Sequence, residues 1–157
     1  MSLEYRTSKT ITTVLPWIGA IFLLSRLALW LVAHLAQAHL GSDLPFTGWT
    51  NLLCRWDCGW YLGIASHGYS TASETPTGTT SYAFYPLLPV ATGILAPVFG
   101  GNPLVAGLVF TNACFFAALA YVYSYARLLK FDHTVALTAV TLMCVLPLSI
   151  AFSAVLT

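Results

Sequence analysis

The sequence predicts an all-α membrane protein: a polytopic bundle of about three transmembrane helices, with two further helices lying at the extracytoplasmic membrane surface. Three observations predict it. Of 157 residues, 58% are hydrophobic and only 7% charged, whereas a soluble domain carries roughly 25% charged residues and needs them to stay dispersed. The charged residues are Glu4, Arg6, Lys9, Arg26, Asp43, Arg55, Asp57, Glu74, Arg127, Lys130 and Asp132, and the gaps between them are long enough to cross a bilayer, which takes roughly 20 apolar residues. Arg6 and Lys9 precede the first gap and Arg127 and Lys130 separate the last two, so the positive-inside rule puts both basic pairs in the cytoplasm. The net charge of +1, with no basic run, excludes a nucleic-acid partner, which needs a clustered positive surface.

The first span is expected over about 11–40, apolar apart from Arg26, a few hydroxyls, His34, Gln37 and His39. It is too long for the core of a signal peptide and is read as a retained anchor. Arg26 sits near its middle, where an unpaired cation is costly; its expected partner is a phosphate, a carbonyl or an acid. The second and third spans are expected over about 103–126 and 134–156. The segment 41–102 then forms an outer loop. Within it, residues 84–99 are apolar but short, carry Pro86, Pro89 and Pro97 and end on Gly100-Gly101. They are read as a surface helix in preference to a fourth crossing. Residues 52–66, with Trp56, Trp60 and Tyr61 at headgroup level, are read as the second surface helix. On one helix Cys54 and Cys58 would stand a turn apart, so they are expected to be free thiols. The chain ends at Thr157 within a hydrophobic run and is read as the N-terminal part of one longer domain.

Functional side chains concentrate in the outer loop: Arg55-Trp56-Asp57-Cys58-Gly59-Trp60-Tyr61, His67-Gly68-Tyr69, and Tyr82-Ala83-Phe84-Tyr85-Pro86. Asp57 has two readings. It can cap a helix N-terminus, accepting backbone N–H bonds, or serve as a general base at the membrane face. Arg55 can pair with Asp57, meet lipid headgroups, or hold a lipid-linked phosphate. Trp56, Trp60, Tyr61 and Tyr85 offer rings that pack on sugar faces or anchor at the interface. His67, His34 and His39 make no recognisable metal set with Asp57, although an Asp–His pair could recruit a divalent ion; no cofactor is otherwise implied. The Ser70–Ser81 loop, rich in Thr, Ser and Gly, reads as mobile and able to close over a substrate.

The ordered run Arg55-Trp56-Asp57, Trp60-Tyr61-Leu62, Ile64-Ala65, His67-Gly68-Tyr69, Phe84-Tyr85-Pro86-Leu87-Leu88-Pro89 and Pro147-Leu148-Ser149-Ile150-Ala151-Phe152-Ser153-Ala154 resembles the GPI mannosyltransferase 2 (PIG-V-like) family, in its bacterial branch. The resemblance covers about 25–157. It implies a glycosyltransferase of the C structural class in a bacterial plasma membrane rather than the endoplasmic reticulum. Such an enzyme moves a sugar, usually mannose, from a polyprenyl-phosphate donor to an acceptor glycan or glycolipid on the outer face. It also implies that Asp57 is the base of a single inverting displacement, with Trp56 on the adjoining aromatic position. The residues expected to bind substrate are Trp56, Arg55, Trp60, Tyr61, His67 and Tyr85. The sequence departs from the family where an aromatic and a Ser/Thr-Glu segment are expected after Val155, and Leu156-Thr157 stand instead. The fragment alone is therefore expected to be inactive. The competing reading is a non-catalytic membrane scaffold or lipid-carrier-binding module.

Overall fold

The computed structural model describes residues 3–39, 54, 57–70, 80–146 and 149. Among them are five α-helices and no β-strand: α1 (Leu3–His39), α2 (Cys58–His67), α3 (Leu87–Leu95), α4 (Pro103–Leu128) and α5 (His133–Val145), with 3₁₀ turns at Ser81–Ala83 and Ala96–Phe99. Two helical stretches are long and apolar enough to cross a membrane, Thr12–Ala36 within α1 and Pro103–Leu128. Helix α1 continues past the expected start of the first span, through Glu4, Arg6 and Lys9. Only Cys58–His67 of the expected 52–66 helix is helical among the described residues, because Asp57 turns the chain into it. In the expected third span, α5 stops at Val145, just before Pro147, which cannot donate the next backbone hydrogen bond. Its 13 residues rise about 20 Å against a hydrocarbon core of about 30 Å; residues 150–157 lie outside the described set.

The chain divides into two compact units. The unit of 1–40 and 113–150 is a three-helix core built on rows spaced four residues apart. Val14 and Ile18 of α1, Phe115, Leu119 and Tyr123 of α4, and Ala136, Val140 and Cys144 of α5 are buried together, the ridge pattern by which helices interlock. Phe22 meets Phe115 and Phe116 with ring centroids 6.2 and 5.5 Å apart. The α4–α5 turn is tight: Lys130 takes a left-handed φ of 65°, Phe131 N donates to Ala126 O, and Tyr123 Oη and His133 Nδ1 share a 2.8 Å hydrogen bond. Hydroxyls of α4 and α5 satisfy themselves on carbonyls one turn back, as Ser124 does on Ala120 O and Thr138 on Thr134 O; the buried Thr92 hydroxyl of α3 has no such partner among the described residues.

Arg26 has carbonyl partners, one of the three expected kinds. Its Nη2 donates to Cys144 O at 3.3 Å and to Ser149 Oγ at 3.3 Å, its Nη1 donates to Ser149 O at 3.1 Å, and its guanidinium lies 4.9 Å from the Phe115 ring centroid. Ser149 Oγ in turn donates to Cys144 O at 2.8 Å. The break in α5 leaves terminal carbonyls without intrahelical donors, and Arg26 supplies the donors.

The unit of 41–112 and 151–157 packs α2 on α3 through small residues: a Cβ added at Gly93 would lie 2.8 Å from Ala65 O. Buried Cys58 is surrounded by Cys54, Tyr61, Leu62, Leu88, Leu104 and Leu108. Gly68, at φ 81°, ends α2, and Asn102 Oδ1 caps α4 by accepting from Leu104 N and Val105 N.

Candidate functional site

Cys54 and Cys58 form a disulfide with Cα atoms 5.2 Å apart, which corrects the free-thiol expectation. That expectation put both on one helix, whereas α2 begins only at Cys58. Cys54 lies before the turn, where the chain can bring its side chain across. The disulfide closes a loop around Arg55, Trp56 and Asp57; Arg55 and Trp56 lie outside the described residues.

Asp57 occupies the N-cap position of α2, yet its side chain makes no capping hydrogen bond. This corrects the capping reading, and the backbone explains it. At φ −78° and ψ −1° Asp57 is already helical, whereas side-chain capping goes with an extended N-cap. Its carbonyl accepts from both Trp60 N (3.0 Å) and Tyr61 N (3.2 Å), so the amide that a cap would use is taken. The residue is exposed, and its carboxylate has no hydrogen bond or ion pair among the described residues.

Beyond Asp57 the next turn of α2 carries the aromatic cluster. Trp60 stacks on Phe84 at 5.5 Å, and Tyr61 meets the same ring edge-on at 5.1 Å. Burial raises the Tyr61 phenol above its ordinary pKa, with the charges of Asp57 and Tyr69 adding in the same direction; Tyr61 is therefore a neutral hydrogen-bonding group. Tyr69 Oη donates to Phe84 O at 2.7 Å and the Tyr69 ring stacks on Tyr82. Buried Ser81 accepts from Ser70 N at 2.9 Å, so the two ends of the Ser70–Ser81 loop are held together; residues 71–79 lie outside the described set.

A cleft of about 590 Å³ runs along α2, lined by Trp60, His67, Tyr69, Ser70 and Ser81 and floored by Gly59 and Gly63. At both glycines an added Cβ would meet nothing within 4 Å, so the floor is bare backbone. Of the expected site residues, Trp60 and His67 line the cleft and Tyr61 supports its aromatic wall. Asp57 stands at the N-terminal end of the same helix, outside the lining, and Tyr85, 84% exposed, lies apart from it. No group of three or more metal-ligating side chains occurs among the described residues. Sequence reasoning missed the glycine floor and the buried Ser81. The spacing of Gly59, Gly63 and His67, each one turn apart, was the available signal for the floor; nothing local marks Ser81. No family model, curated protein or solved structure matches this chain.

Proposed function

We propose that this chain is the N-terminal region of a multi-pass membrane glycosyltransferase of the PIG-V-like kind, acting on the outer face of a bacterial plasma membrane. The acceptor hydroxyl attacks the anomeric carbon of a polyprenyl-phosphate-linked sugar, with mannose the expected sugar. The bond from that carbon to the phosphate oxygen breaks with inversion, the polyprenyl phosphate leaves, and the hydroxyl proton passes to Asp57. Trp60 and Tyr61 offer the sugar apolar ring faces and Arg55 the phosphate its guanidinium. The observation that carries this reading is the carboxylate of Asp57, exposed at the head of α2 and without a hydrogen bond or ion pair among the described residues, on the same helix as an aromatic wall and an open cleft.

In this reading α1, α4 and a segment beginning with α5 are the three crossings. Helix α3 and its 3₁₀ extension expose Leu87, Val90, Ile94 and Val98 on one side, with Tyr82 and Tyr85 near their start, which suits a segment lying in the headgroup layer. The Cys54–Cys58 disulfide suits an oxidising, extracytoplasmic side.

The function is tested by Asp57→Asn in the complete protein, assayed for mannose transfer from a polyprenyl-phosphate donor. Turnover should fall by at least about a hundredfold, while stability changes by no more than about 1 kcal/mol. Near-normal transfer returns the chain to a carrier-binding or scaffold role. The topology is tested by single cysteines at Ser73 and Asn102, both of which should label from outside; labelling of position 102 only from the cytoplasm would establish a fourth crossing.

A further inference from the structure

We propose that Cys54 and Cys58 are positioning residues, whose disulfide holds Asp57 in a helical backbone conformation and so keeps its carboxylate off the α2 N-terminus. The inference rests on the reading of Asp57 as the base, but its structural half stands on geometry alone. The molecule contains its own control. Asp132 is also the residue before a helix, and it is extended, at φ −69° and ψ 172°. There Ala136 N donates to the Asp132 carbonyl at 3.1 Å, leaving Val135 N to donate to Asp132 Oδ1 at 2.8 Å. Trp60 is the counterpart of Val135, three residues after its aspartate, and its N–H goes to the Asp57 carbonyl instead.

The difference lies in what precedes the cap. Four extended peptide units span up to about 14 Å, whereas the disulfide fixes the Cα atoms of Cys54 and Cys58 5.2 Å apart. Cys58 is itself held in place, because it is buried against Tyr61, Leu62, Leu88, Leu104 and Leu108. An extended Asp57 would lengthen the path from Cys54 to Cys58; the disulfide opposes that. Without it, Asp57 gains the ordinary capping bond, and a carboxylate bound to a backbone N–H at a helix N-terminus is a poorer proton acceptor.

The test uses the complete protein in detergent micelles, with 15N-tryptophan labelling; tryptophan-selective labelling thins the backbone spectrum, and Trp60 is assigned as the signal lost in Trp60→Phe. In Cys54→Ala the Trp60 amide proton should move downfield and exchange more slowly as it transfers to the carboxylate, and Cys54→Ala/Asp57→Ala should abolish that movement. Transfer by Cys54→Ala should fall about tenfold or more in kcat, with KM little changed. If Cys54→Ala does not fold, the wild type reduced with dithiothreitol, which yields two thiols and the oxidised cyclic reagent, gives the same readout, and reoxidation should restore the original signal. An unmoved Trp60 amide overturns the proposal, even if Asp57→Asn abolishes transfer. A moved amide together with full transfer by Asp57→Asn overturns the base reading and leaves the disulfide as a conformational clamp only.

Discussion

Helices α2 and α5 are both short, 10 and 13 residues, and each follows an aspartate at its N-cap, yet their ends are finished in opposite ways. Helix α5 uses side chains for termination: Asp132 takes an N-terminal N–H, and Arg26 takes the carbonyls of Cys144 in its last turn and of Ser149 beyond it. Both charged groups are committed to the backbone. Helix α2 is anchored by a disulfide at its start and a positive-φ glycine at its end, and its aspartate side chain has no partner among the described residues. It also carries Gly59 and Gly63 on an open face, where alanine would be the better helix former by about 1 kcal/mol each. An N-cap aspartate without a side-chain partner among the described residues, followed by glycines on which nothing packs, sets α2 apart from a structural helix of similar length.

The comparison can be broken most severely at α5. Arg26→Leu should destabilise the protein by about 2–4 kcal/mol, because Ser149 O would lose its guanidinium donor and Cys144 O one of its two donors in apolar surroundings; urea or thermal unfolding in detergent measures it, and unchanged stability would mean that Arg26 is dispensable to α5. The glycines come next. Gly93→Ala should cost about 1–3 kcal/mol, since the new Cβ would press on the backbone oxygen of Ala65, which has little freedom to retreat. Gly63→Ala should instead stabilise α2 by up to about 1 kcal/mol while narrowing the cleft, so sugar transfer should fall as the melting temperature rises. A loss of stability at Gly63 would show that it is a packing glycine like Gly93. The smallest effects sharpen the contrast between the two aspartates. Asp132→Ala should cost about 1 kcal/mol through the lost cap, whereas Asp57→Ala should change stability by less than about 0.5 kcal/mol, since only a dipole interaction is lost; equal losses would mean that Asp57 caps after all.

Much of the helical layout was legible residue by residue. The long apolar stretches marked α1 and α4. The shortness of the 84–99 segment was legible from its prolines and Gly100-Gly101. Asp57 stood out as an isolated acid among apolar and aromatic residues, and Trp60 was legible as its neighbour on one helix, whereas His67 fell one residue past the expected end of that helix and the structure includes it. The length of α5 was not legible from hydropathy, which continues unbroken past the point where Pro147 follows the end of the helix.

What the sequence alone determined, then, is what depends on periodicity and charge spacing within a few residues: an all-helical chain, and the long apolar helices α1 and α4 among the three crossings expected. Tertiary structure decided whether Asp57 and Asp132 cap, which cysteines pair, and what holds Arg26, whose carbonyl partner on Ser149 is 123 residues away. The reason is physical. A cap needs a particular backbone conformation at one residue, and that conformation depends on how the preceding chain is tied. A buried cation needs oxygen atoms that only folding can bring within about 3 Å.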